Sequence, residues 1–184
     1  MSKAIFKINM YALFSLAFIS CGDMKQKSKE LASKTLGRVI DKALAFDAEK
    51  STKAITFKDY FIKANFNVTD ISGLWADMPM GFHYCFLTYK ADRATILAYI
   101  GNIETRQPEV SDNMHDVDST KFFATLKYIE KEYPPLKEKI PYMYNFPTLK
   151  EFRFYSCSRF PNIHYLAYNV KKEIFYHYFE KYAD

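Results

Sequence analysis

Glu151–Phe160 (EFRFYSCSRF), Ile163–Asn169 (IHYLAYN) and Ile174–Tyr182 (IFYHYFEKY) are three successive runs dense in Phe, Tyr and Ile. Pro161-Asn162 separates the first two, and Val170-Lys171-Lys172-Glu173 separates the last two. Aromatic and β-branched side chains fit the half-buried pleated surface of a sheet, and short turn-forming segments between such runs join neighbouring strands. The pattern predicts an antiparallel meander of three strands at the carboxyl end. The chain as a whole is 18% aromatic, with fifteen Tyr and seventeen Phe against one Trp, which favours sheet in the same way.

Upstream, the apolar period changes. From Ser119, the residues Phe122, Leu126, Ile129 and Tyr133 recur at helical spacing, and Pro134-Pro135 closes the run. Asp92 is placed to cap a second helix whose inner side is Ile96, Leu97, Ile100 and Ile103. A third amphipathic helix is expected over Ser28 to Phe46, from Leu31, Leu36, Val39, Ile40, Ala43 and Leu44. Phe82–Lys90 is apolar on both sides of the pleat, the mark of a central strand. Asp70–Gly81 holds Ser-Gly, Met-Pro and Met-Gly pairs and reads as loop. Thr105–Asp118 is polar without period, a proline-punctuated connection runs through Pro141 and Pro147, and residues 55–68 fit helix or strand. Helices set apart from consecutive strands predict an α+β fold, with amphipathic helices packed on an antiparallel sheet. The 184 residues suit one domain, expected over 31–184.

The amino terminus carries an address. Lys3 and Lys7 precede the apolar run Met10–Ile19, which is about half the length a membrane-spanning helix needs. Ser20-Cys21-Gly22 follows, and then the polar run Asp23–Glu30. This is the three-part layout of a secretory signal. Phe18-Ile19-Ser20-Cys21 resembles the bacterial lipobox, with Phe18 where Leu is usual. The resemblance implies a signal peptide over 1–20, lipid on Cys21, and an anchor and tether over 21–30. Gly22, rather than Asp, after the lipidated cysteine implies the outer membrane. Membrane attachment through several acyl chains follows from that expectation, since one chain alone binds weakly.

Charge narrows the partners. Removing Lys3 and Lys7 from the formal +5 leaves +3, and basic and acidic residues alternate, as in Glu130-Lys131-Glu132. Phosphate-backbone binding needs clustered Lys and Arg, so no nucleic-acid partner is expected. The common phosphate-cradling, serine-hydrolase and zinc motifs are missing, and the five glycines are scattered, so catalysis and a cofactor are not expected.

Four groups of residues remain as candidates. Cys85 and Cys157 lie in aromatic runs, where an exported protein holds either a disulfide or two small buried thiols. Asp112, His115, Asp116 and Asp118 gather carboxylates and an imidazole that suit a hard cation, though the EF-hand glycine and terminal glutamate are absent. The plainer expectation is a solvated loop in which Asp118 caps the following helix. His164 and His177 stand across from each other if their turn is tight, as a metal-binding or simply packed pair. Tyr155, Tyr165, Tyr168, Tyr176 and Tyr178, with Arg153 and Arg159 beside them, form a candidate protein interface, because Tyr and Arg combine large contact area with polar reach. The expected function is therefore an envelope lipoprotein that binds a protein, in the manner of immunity, inhibitor or accessory subunits. The alternatives are a small-molecule or lipid binder, and a hydrolase using His115 with Asp112 or Asp116.

Overall fold

A computed structural model describes residues 46–146 and 148–182. The expected signal peptide, Cys21, the tether and all but the last residue of the expected first helix lie outside the described residues.

The described chain runs through α1 (Ala48–Ser51), β1 (Thr52–Ala54), α2 (Phe57–Tyr60), β2 (Thr69–Asp77), β3 (His83–Lys90), α3 (Arg93–Gly101), β4 (His115–Asp116), α4 (Ser119–Glu132), α5 (Pro134–Lys139), β5 (Phe152–Arg159), β6 (Asn162–Asn169) and β7 (Ile174–Lys181). The strands form one seven-stranded antiparallel sheet in the order β1-β2-β3-β7-β6-β5-β4. The fold class is α+β.

Alternation along the strands sends side chains to two cores. One holds Phe57 and Phe61 with Trp75, Leu87, Tyr89, Ile96, Ile100 and Phe179, so the α2 segment and α3 cover this face. The other holds Phe122, Leu126, Ile129 and Leu136 with Phe86, Phe154 and Tyr178, so α4 and α5 cover that one. A strand covered on both faces must be apolar on both, which is why β3 is buried from Tyr84 to Tyr89.

The caps are local. Asp92 accepts from the Thr95 amide at 2.7 Å and Asp118 from the Lys121 amide at 3.1 Å. Pro134-Pro135 ends α4 but also opens α5, since proline at the first helical position gives up an amide that would be unpaired anyway.

Asp70–Gly81 corrects the expectation. Most of it is the long strand β2, and only Pro79–Gly81 forms a turn of 3₁₀ helix. Gly73, which suggested a loop, marks a close crossing. A Cβ there would stand 1.9 Å from the carbonyl oxygen of Ile55, where the chain leaving β1 passes over β2.

The disulfide alternative is also corrected. Cys85 and Cys157 are free and buried. They occupy one row of the sheet, Cys85 opposite Phe179, Phe179 opposite His164, and His164 opposite Cys157. At about 4.8 Å per strand this row is roughly 14 Å long. A disulfide needs Cα atoms within about 7 Å.

Candidate functional site

The candidate interface tyrosines are divided by the sheet. Tyr155 and Tyr168 face the core under α3, where Arg93 sits 5.9 Å from the Tyr168 ring. Tyr165, Tyr176 and Tyr178 belong to the face under α4. Period-two alternation forces this result, because positions 155 and 168 oppose residues of the same parity row and positions 165, 176 and 178 the other. Arg153 is exposed, while Arg159 is half-buried and donates from Nε to the Ile103 carbonyl at 2.8 Å. The seven residues therefore do not make one surface.

What remains together is centred on Tyr165 and a residue outside the expected set, Glu180. Tyr165 is half-buried and stacks on Tyr178 with centroids 4.9 Å apart. Tyr178 is fully buried, and its hydroxyl donates to the Phe122 carbonyl at 2.8 Å, which ties β7 to α4. Glu180 lies on the same side of β7 as Tyr178, opposite Tyr84 on β3 and Ile163 on β6. Thr125 Oγ1 donates to one of its carboxylate oxygens at 3.1 Å and the Tyr182 hydroxyl to the other at 3.2 Å.

The electrostatic neighbourhood is shared. Burial raises the pKa of Glu180 above the ordinary carboxylate value, against the pull of its two hydroxyl donors. Tyr165 is raised by burial first, then by the charges of Glu180, Tyr182 and Asp112. Tyr84 is raised by burial and then by Glu180, Tyr128, Tyr133 and Tyr182. Tyr128 and Tyr182 remain 48% and 42% exposed, so the cluster reaches solvent with aromatic surface. Helical spacing on α4 and alternation on β7 carry the signal for this cluster, but only the pairing of β3 with β7 brings Tyr84 to Glu180.

The acidic loop adjoins it. Asp112 accepts the Ser158 amide, and its own amide donates to the Ser158 carbonyl at 3.0 Å. These bonds and β4 shield the outer edge of β5. Asp118 is the cap of α4, as the plainer expectation had it. Among the described residues, no three His, Cys, Asp or Glu side chains stand where they would hold a metal ion. Asp118 is turned to the amino end of α4 and Asp112 to the Ser158 amide, so the four candidate residues do not converge as one ligand set.

His115 does meet a hydroxyl. The Asn113 carbonyl lies 2.9 Å from Nδ1 and accepts a hydrogen bond from it, and Nε2 lies 3.4 Å from Ser156 Oγ. Asp112 is 4.0 Å from Nδ1, and Lys121 Nζ donates to Ser156 Oγ at 3.3 Å. Ser156 is nevertheless only 2% exposed and is paired with both β4 and β6. An acyl substrate needs access to the nucleophile and donors aimed at its oxyanion. The arrangement instead fastens the loop to the sheet.

His164 and His177 are both fully buried on the α3 side. Their turn, Val170–Glu173, is longer than a tight hairpin, so His164 opposes Phe179 and His177 opposes Leu166. The rings meet diagonally, with His164 Nδ1 3.1 Å from His177 Nε2, and the Tyr89 hydroxyl 3.1 Å from His177 Nδ1. Desolvation, with a smaller contribution from Arg159, holds His164 down at about 3, and burial followed by His164 lowers His177 as well.

Two open depressions adjoin α3. One of about 580 Å³ is lined by Lys63, Ala98, Tyr99, Asn102, Ile103 and Glu104. A neighbour of about 390 Å³ shares Lys63, Tyr99 and Ile103 and includes Ile62, which is 85% exposed.

Comparison of the chain with protein-family models, with curated proteins and with solved structures finds no match in any of the three.

Proposed function

We propose that this chain is an envelope lipoprotein, lipidated on Cys21 and held at the outer membrane, whose folded part binds another protein without catalysis. The membrane part of the proposal rests on the lipobox resemblance. The binding part rests on one observation: Tyr84 on β3, Tyr165 on β6, Tyr178 on β7 and Tyr182 lie on one side of the sheet about Glu180, with Tyr182 open to solvent and Tyr128 exposed on α4 beside Tyr133. Exposed aromatic residues backed by a rigid sheet are well suited to anchor a protein interface, because their area is large and little side-chain freedom is lost on binding. In this proposal the three carboxyl-terminal strands are a meander that carries the surface, and the amphipathic helices packed on the sheet hold it in shape. The inhibitor-like or accessory-subunit role suits such a module.

The test is capture from envelope and secreted fractions by full-length protein with a carboxyl-terminal tag, in parallel with a Tyr128→Ala, Tyr182→Ala double variant. A stoichiometric protein lost with the double variant supports the proposal. A protein that the double variant captures equally well places binding elsewhere, and an empty capture overturns it.

A small-molecule or lipid-binding role is the second proposal, and the trough beside α3 favours it, since Ile62, Tyr99 and Ile103 present apolar surface there. Binding of a fluorescent fatty acid that Tyr99→Ala abolishes would support it; binding that Tyr99→Ala leaves intact would not.

A further inference from the structure

Glu180 is a partly buried carboxylate served only by neutral donors. Thr125 and Tyr182 supply hydroxyl hydrogen bonds, and among the described residues no Lys, Arg or His forms an ion pair with it. The contrast is with Glu49, Glu130 and Glu151, each of which has a lysine partner at the surface. An ionised carboxylate accepts about four hydrogen bonds, so Glu180 retains acceptor capacity. Taking a carboxylate out of water without a counter-charge is unfavourable, and an arriving cation removes that penalty.

The surroundings select the kind of cation. Tyr84 lies across the ladder from Glu180, the Tyr182 hydroxyl donates to its carboxylate, and half-buried Tyr165 on β6 stands opposite Tyr178, two residues before Glu180 on the same side of β7, with Asp112 contributing a second negative charge on the Tyr165 side. A guanidinium group is planar, stacks on tyrosine faces, and offers parallel N–H donors that match a carboxylate. An ammonium group pairs with the carboxylate but presents no plane to stack.

We infer that Glu180 and the tyrosines around it form a receptor for an arginine side chain projected by a protein partner. The inference rests on the protein-binding function proposed above and supplies the chemistry of the partner's central contact.

The test uses full-length protein in detergent, labelled with ¹³C at the tyrosine rings, and three peptides: N-acetyl-Gly-Arg-Gly-amide, the same peptide with citrulline, and the same with lysine. Citrulline keeps the shape of arginine and loses its charge. Saturable shifts of Tyr165 and Tyr182 are expected with the arginine peptide, and affinity about ten-fold lower with citrulline, the scale of a charge-assisted pair. Glu180→Gln is expected to lower arginine-peptide affinity to the citrulline level, while its unchanged ring spectrum shows that the fold is kept. Tyr165→Leu, which spares the carboxylate, is expected to weaken arginine more than lysine. Equal affinity for arginine and citrulline, or equal affinity of wild type and Glu180→Gln, overturns the inference. If Glu180→Gln disturbs the ring spectrum, the citrulline comparison on wild type decides alone. A partner captured through Tyr128 and Tyr182 in the absence of arginine-peptide binding leaves the protein-binding proposal standing and removes only this one. Peptide binding without any captured partner keeps the guanidinium site at Glu180 and overturns its assignment to a protein partner.

Discussion

The Nδ1 atom of His164 and the Nε2 atom of His177 lie 3.1 Å apart in the fully buried core beneath α3. Only one proton can sit between them, and the Tyr89 hydroxyl at the far nitrogen of His177 completes the chain. His164 Nε2 has no hydrogen-bond partner among the described residues. Both rings are therefore folded in the neutral form, in a setting of Phe61, Leu87, Tyr155, Cys157 and Phe179 that offers no counter-charge.

A pH prediction follows with a definite sign. The unfolded histidines take up protons near their ordinary value of about 6.5, whereas folded His164 does so only near 3. Through that window the unfolded state binds more protons, so stability falls as pH falls, by about 1.4 kcal/mol per pH unit for each buried histidine. Glu180 acts with the opposite sign, because its raised pKa lets the folded state take up a proton first. The two histidines outweigh one carboxylate. Urea midpoints at pH 7.5, 6, 5 and 4.5 should be flat at the top and fall below 6, and His177→Gln should flatten the fall. A midpoint constant down to pH 4.5 would show that the pair is not held neutral.

The two thiols should be separate and slow to react. Burial raises the pKa of Cys85, and burial with the charge of Asp112 pushes Cys157 up to about 12. Since thiolate is the nucleophile, alkylation of the native protein should be limited by opening of the fold. Peptides from denatured, non-reduced protein should carry alkyl groups on both Cys85 and Cys157. A cross-linked pair of peptides is the contrary result.

Glycine replacements should differ by position. Gly73→Ala drives a methyl group into the Ile55 carbonyl and should cost more than 1 kcal/mol, on the scale of roughly 1–3 kcal/mol for overpacking. Gly101→Ala places its Cβ 3.2 Å from that of Met114, but helix propensity favours Ala by about 1 kcal/mol, so the net change should be small. Thermal melts of the two variants make the comparison, and equal effects would mean that the Ile55 carbonyl gives way at Gly73.

The bond between Tyr178 and Phe122 separates packing from hydrogen bonding in the α4 core. Tyr178→Phe removes a donor to a buried carbonyl and should cost about 1–3 kcal/mol. Phe122→Ala leaves a cavity among Phe154, Phe146 and Tyr178 and should cost about 3–5 kcal/mol. Denaturant unfolding that ranks the two the other way would place the α4 core's stability in the hydrogen bond.

The strands Phe152–Arg159, Asn162–Asn169 and Ile174–Lys181 were legible because each is a short aromatic run between turn residues, and β3 because burial on both faces removes polar positions. The helices at Arg93 and Ser119 were legible from caps and period. Asp70–Asp77 was not, since Gly73 signals a turn unless the chain crossing it is known. The candidate site was legible only in fragments. Tyr165 and Tyr178 stood out by residue type, whereas Glu180 looked like an ordinary charge near the end of a strand.

Sequence alone determined the three carboxyl-terminal strands, β3, the helices α3 and α4 with their caps, and that the common catalytic motifs are missing, because these depend on residues near one another in the chain. Tertiary structure decided that β3 joins β7, that two strands lie between the cysteines, that the histidines meet diagonally, and that the tyrosines divide between two faces. Each of those depends on strand order and register, and a shift of one residue in register moves every side chain to the opposite face.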